Sequence, residues 1–146
     1  MIQRIQTIFL LLASGSAFSL FAFPFAKAQT MSQSIVFADG LYNLQDNIGL
    51  LILFCLAGIL TFVGIFLFRN RKTQLLVNRI AIVANIIGLV LTVILFMNDQ
   101  PNMTQNVTPD DGLGAYLPFV FLIFAFLANH FINKDEKLVK SMDRLR

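Results

Sequence analysis

The 146-residue chain has one cysteine, one histidine, no tryptophan and only 13% charged residues. Each shortage excludes something. Cys55 has no second thiol for an internal disulfide, and one thiol with one imidazole, His130, makes neither a metal set nor a redox pair. The sequence carries no HExxH, no CxxC, no nucleophile–base pair and no glycine-rich phosphate loop. Its acidic residues do not follow a calcium-loop pattern. Neither an enzyme nor a bound cofactor or metal is expected.

What the chain has in abundance is apolar length. Hydrophobic residues make up 57% of it, and the mean hydropathy is +0.74. Four apolar stretches run over approximately 6–26, 48–68, 78–97 and 113–133, each near the ~20 residues that a bilayer-crossing helix needs. The expected fold is all-α: one polytopic membrane domain over 1–146, with four transmembrane helices in an antiparallel bundle. No connecting segment is long enough for a separate soluble domain.

Charge orients these stretches. Threading them back and forth puts Arg4, then Arg69, Arg71, Lys72 and Arg79, then Lys134, Lys137, Lys140, Arg144 and Arg146 on one side. The other side holds Lys27 with Asp39, Asp46, Asp99, Asp110 and Asp111. Lys and Arg beside membrane helices stay in the cytoplasm, so both termini and the 69–79 segment are expected there. The net charge of +3 then reflects topology and attraction to anionic lipid, and nucleic-acid binding is not expected.

The first stretch also resembles a secretory signal, with Arg4 ahead of an apolar centre and Ala26-Lys27-Ala28 imitating a cleavage site. Its apolar run exceeds the roughly 7–15-residue signal core, which favours a retained helix. Cleavage would leave the other orientations unchanged, so charge does not decide the matter. Pro24 is expected to end or kink this helix.

Between the first two stretches, Ile35-Val36-Phe37 and Leu41-Tyr42 flank Asp39-Gly40. This reads either as a small extracytoplasmic β-hairpin or as an ordered loop. Tyr42 and Tyr116 suit interfacial anchors. The 98–112 loop is rich in turn formers, and its N-x-Thr triplets at Asn102 and Asn106 are those an Asn/Thr-rich loop produces by chance. The end of the chain, 134–146, reads as a short amphipathic helix carrying Leu138, Met142 and Leu145 on one face. It could lie on the inner leaflet, cover the bundle or dock a partner.

No charged residue falls in the middle of a stretch, which removes the usual groups of proton or ion coupling. The polar residues there include Ser14, Ser16, Ser19, Thr61, Asn85, Thr92 and Asn129. Asn85 is the main candidate, because a carboxamide in hydrocarbon must find a partner. An interhelical hydrogen bond and a substrate contact are its two readings. His130, near the end of the fourth stretch, suits an interfacial or hydrogen-bonded role. Ala13/Ala17, Gly15/Ser19 and Ala84/Gly88 offer the four-residue spacing of close helix approach.

Three segments carry a family resemblance. They are Met1-Ile2-Gln3-Arg4-Ile5-Gln6-Thr7, Ile65-Phe66-Leu67-Phe68-Arg69-Asn70-Arg71-Lys72-Thr73-Gln74, and the terminal Asp135-Glu136-Lys137-Leu138-Val139-Lys140-Ser141-Met142-Asp143-Arg144-Leu145-Arg146. Together they resemble a family of four-pass bacterial membrane proteins of Bacteroidetes designated domain of unknown function 4293. The resemblance implies a bacterial inner-membrane protein with a retained first helix. It brings no activity or catalytic residues.

Two functions follow as expectations. The first is an accessory or scaffold subunit acting through a basic cytoplasmic face. Its interaction and lipid-contact residues would be Arg4, Arg69, Arg71, Lys72, Lys137, Lys140 and Arg144, with Asp135, Glu136 and Asp143 available as ion-pair partners. Its partners would be membrane lipids and either another protein or further copies of the chain. The second is a small oligomeric transporter or channel-like protein, with Asn85 as its intramembrane contact.

Overall fold

A computed structural model of the protein describes residues 3–27, 40–99 and 110–143. These residues form helix α1 (Gln3–Ser19), strand β1 (Ala26–Lys27), strand β2 (Leu41–Tyr42), helices α2 (Ile48–Phe66) and α3 (Arg71–Asp99), strand β3 (Asp110–Asp111) and helix α4 (Leu117–Asp143). Short 3-10 turns, Leu44–Asp46 and Leu113–Ala115, lead into α2 and α4.

Local chemistry explains the helix boundaries. The Asn47 side chain accepts a hydrogen bond from the Gly49 N–H at 2.8 Å, which caps the start of α2. Asn70 starts α3: its carbonyl accepts from the Gln74 N–H at 3.0 Å, and its Oδ1 faces the Thr73 N–H at 3.5 Å. No proline or glycine then interrupts the sequence until Gly88. The basic 69–79 segment, expected as a loop, is therefore mostly the opening of a 29-residue helix. Pro118 sits in the first turn of α4, where its missing N–H costs nothing. The helix expected over 134–146 is found as the continuation of α4, which runs to Asp143.

α1 ends earlier than expected, at Ser19. The chain then turns through Ala22 and Phe23, whose N–H groups both donate to the Ser19 carbonyl. The Phe25 N–H donates to the Tyr42 carbonyl at 2.7 Å, drawing the chain into a three-stranded antiparallel sheet of order β2-β1-β3. Ala26 lies opposite Tyr42 and Asp111, and Lys27 opposite Leu41 and Asp110. The sheet thus places the lone cation of this end against an acidic strand. The small sheet matches the expectation in kind, but β2 pairs with β1. The expected partner Ile35–Phe37 lies outside the described residues, as do both N-x-Thr triplets.

Two glycines let the chain before α4 press against the chain after α1. The Gly112 N–H donates to the Phe25 carbonyl and the Gly114 N–H to the Pro24 carbonyl, both at 2.9 Å. A Cβ on Gly112 would lie 2.1 Å from the Pro24 oxygen, and one on Gly114 2.5 Å from the Phe23 oxygen.

α1 packs between α2 and α4, and α2 packs on α3. The α3–α4 seam is the loosest of the four helix contacts. Neighbours run in opposite directions: Gln6 meets Asp135 at one end of the α1–α4 pair, while Pro24 meets Gly112 and Gly114 at the other. The central core is built from small residues, Ala13, Ala17, Ala57, Ala81, Ala84 and Ala125, with Phe121 among them. Gly58 faces Ala17, and Gly88 faces the Phe54 ring, so backbones approach closely where lipid-like surroundings give helices no hydrophobic drive to associate. Gly15 has nothing within 4 Å of its missing Cβ and makes no such approach.

Three helices are long and apolar enough to cross a membrane, over Ile48–Phe66, Arg71–Asn98 and Leu113–Val139. The apolar part of α1, Ile5–Ser19, is shorter. Large apolar side chains cover the outside of all four helices, including Ile8 and Leu11 of α1, Ile52 of α2, Val83 of α3 and Ile123 of α4. So continuous an apolar surface is stable in lipid rather than water.

Candidate functional site

The polar residues of this apolar protein gather at the end where α2 turns into α3. Asp135 is their hub. Its Oδ2 accepts a hydrogen bond from Gln6 Nε2 at 2.6 Å and lies 3.7 Å from Arg71 Nη2. Arg71 Nη1 also donates to the backbone carbonyl of Asp135 at 2.9 Å. One carboxylate thus joins α1, α3 and α4. Gln6 and Asp135 are both buried, and Arg71 is only half-buried, so the acid is compensated by an amide donor and a cation together.

A stripe of carboxamides continues from this hub along α3. Gln74, Asn78 and Asn85 fall at i, i+4 and i+11, all on one helical face and all buried. Gln74 Nε2 donates to the Gly64 carbonyl at 2.9 Å, satisfying an acceptor in the last turn of α2. Asn78 Nδ2 donates to the Ala125 carbonyl at 3.0 Å and to Asn129 Oδ1 at 2.9 Å, clasping α3 to α4. Asn85 breaks the pattern. Its Oδ1 and Nδ2 are both buried without a hydrogen-bond partner among the described residues, so the expected interhelical bond is not formed.

The hydroxyls in the apolar layer are occupied locally. Ser14 and Ser16 donate to carbonyls three residues back, and Ser19, Thr61 and Thr92 to carbonyls four back. Such self-bonding satisfies a hydroxyl in lipid. Among the described residues Gln74 Oε1 and Asn78 Oδ1 are also buried without a partner, but only Asn85 has both side-chain polar atoms unspent. Tyr42 is not an interfacial anchor: it is buried, and its hydroxyl donates to the Thr92 carbonyl at 3.1 Å. Tyr116 is exposed, as an anchor would be.

Of the basic residues singled out by sequence, Arg69, Arg71 and Lys72 line one hollow of about 500 Å³ with Glu136 and Val139 of α4. Arg71 belongs to the Asp135 hub, whereas Arg69 and Lys72 are exposed. Lys137 is exposed on α4 and does not line this hollow. Arg4 lies in α1 and Lys140 in α4, but their side chains, like all of Arg144 and the side chain of Asp143, lie outside the described residues. Of the expected ion pairs, that of Asp135 with Arg71 forms. His130 is exposed and meets Phe131 edge to face at 5.7 Å.

The sequence offers the Asp135–Arg71 pair, but not its joining to Gln6 or the interhelical bonds of Gln74 and Asn78. The signal that finds them is their common face: Gln74 and Asn78 share Asn85's helical stripe, and Asp135 lies three residues after the buried Ile132.

With this geometry in view, comparison with known proteins is informative about kinship alone. The family model described as Domain of unknown function (DUF4293) matches residues 2–145. The chain belongs to this family. Neither a curated protein nor a solved structure matches it. The DUF4293 match takes in both the Asp135 hub and the Asn85 stripe.

Proposed function

We propose that the protein is a four-pass integral protein of the bacterial inner membrane, with both termini in the cytoplasm, and that it serves as an accessory or scaffold subunit through its basic face. The observation that carries this reading is the Gln6–Asp135–Arg71 hub. It ties three helix ends into a fixed platform and uses one cation in doing so, while Arg69, Lys72 and Lys137 stay exposed around it. A rigid, positively charged end suits docking to an acidic partner surface and to anionic head groups. The apolar outer face of α1 supports its role as the fourth span, although its helix is shorter than the others. No catalytic role is proposed.

The test is purification from native membranes in a mild detergent with a small epitope tag. Stoichiometric companions of the wild type are compared with those of an Arg69→Glu/Lys72→Glu/Lys137→Glu variant. A companion lost in the variant supports the reading; a clean homo-oligomer in both opposes it.

A second reading, a small oligomeric transporter or channel-like protein, is favoured by Asn85, whose carboxamide is buried with neither polar atom partnered among the described residues. Solute uptake into proteoliposomes that disappears in a folded Asn85→Leu variant would establish it.

A further inference from the structure

Beside the hollow under Arg69 lies a second one of about 440 Å³, in the α3–α4 seam, and it holds a feature the interaction face alone does not explain. Lys72, Leu76, Arg79 and Ile80 present one face of α3 to it, and Asn133 and Glu136 of α4 form the opposite wall. Lys72 and Arg79 are separated by two helical turns, about 10 Å along the axis. Both are exposed, and neither makes an ion pair among the described residues.

Depth identifies what fills such a space. From Ile80 to Met97 the helix carries no charge and rises about 27 Å, close to the ~30 Å hydrocarbon thickness of a bilayer. Arg79 therefore stands at the edge of the hydrocarbon and Lys72 among the head groups. A cation at the hydrocarbon edge, on a helix face that also carries Leu76 and Ile80, calls for a counter-charge at that depth. The molecule that supplies both an anion there and apolar chains running inward is a phospholipid.

The geometry points to a binding site for an anionic glycerophospholipid with a hydroxylated head group, seated between α3 and α4. Its phosphate lies between Lys72 and Arg79. Its head-group hydroxyls reach Asn133 and Glu136, and an acyl chain follows Leu76 and Ile80 along the seam. Cations outnumber the carboxylate two to one in this wall, so the site selects a net negative lipid. The inference rests on the reading above only for the placement of the helices in a bilayer. Lipid titration involves no companion protein, so either can fail without the other.

The experiment is native mass spectrometry of the full chain in a mild detergent, titrated with phosphatidylglycerol or phosphatidylcholine of matched chains. The wild type should bind phosphatidylglycerol more tightly. Lys72→Gln and Arg79→Gln should each weaken that binding by about fivefold, the effect of one cation near a lipid surface, and leave phosphatidylcholine unaffected. Arg79→Lys should retain the preference. Soluble glycerol phosphate should not displace the lipid. Equal affinity of the wild type for the two lipids overturns the proposal, even where a variant fails to fold. Displacement by glycerol phosphate at the same concentration also overturns it, because the site would then take a soluble phosphate.

Discussion

Gln6 and Asp135 are 129 residues apart in sequence and 2.6 Å apart in space, the amide of one donating to the carboxylate of the other. With Arg71 they close the basic end of the protein. The buried carboxylate is compensated from two sides, so removing it strands two donors rather than one.

Asp135→Ala should accordingly destabilise the protein by about 1–3 kcal/mol, below the ~3–5 kcal/mol of a fully buried pair because Arg71 retains some solvent. Gln6→Leu should cost less, since Arg71 still faces the acid. Thermal unfolding in detergent, followed by circular dichroism, measures both. A double variant whose loss equals the sum of the two singles would show that the pair is not coupled.

The glycines before α4 make a sharper prediction. Gly112→Ala places a methyl against the Pro24 carbonyl, and Gly114→Ala places one against the Phe23 and Pro24 carbonyls. The obstacles are backbone atoms, so the chain after α1 must move away and β1 must loosen from β3. Each variant should lower the unfolding temperature and speed amide exchange at Ala26 and Lys27. Gly15→Ala, with open space at its Cβ, should be neutral or slightly stabilising by the helix preference of alanine.

Asn85 separates architecture from use. Two buried polar atoms without partners among the described residues cost about 1–3 kcal/mol, and leucine puts two methyl groups in their place on the same branched skeleton. Asn85→Leu should raise the unfolding temperature if the carboxamide serves no structural bond. A gain in stability together with a loss of solute uptake would mark a site kept for function at the expense of stability. A fall in stability would mean that Asn85 is satisfied by a bound partner such as water.

Much of this arrangement was legible in the sequence, and the rest depended on contacts that no local pattern contains. The apolar runs of α2, α3 and α4 gave their membrane-spanning length, and the basic residues gave the asymmetry of the two ends. Boundaries failed where flanking polarity was taken for a loop. Arg71 to Arg79 are charged and amide-bearing, yet Asn70 caps them into α3. The tail, by contrast, is legible as helix from its amphipathic pattern, and it carries α4 on to Asp143. Tyr42 reads as an anchor because it falls on the outer side, between the first two apolar stretches. Its burial follows from the pairing of β2 with β1 and from Phe25 and Phe96 packing against its ring, all long-range facts. Asn85 was legible as a candidate, but its lack of a partner was not. Spacing within one helix does not reveal Gly58 either, because its complement, Ala17, sits on another helix.

A role at the basic face requires that this face lie in the cytoplasm. The most direct measurement is thiol labelling in cells with a permeabilised outer membrane and in inverted membrane vesicles, in a Cys55→Ala background carrying either Asn70→Cys or Asp110→Cys. A membrane-impermeant maleimide should reach position 110 only in permeabilised-outer-membrane cells and position 70 only in inverted vesicles. Labelling of position 70 from outside, with position 110 protected, would contradict the orientation and with it the proposed cytoplasmic platform.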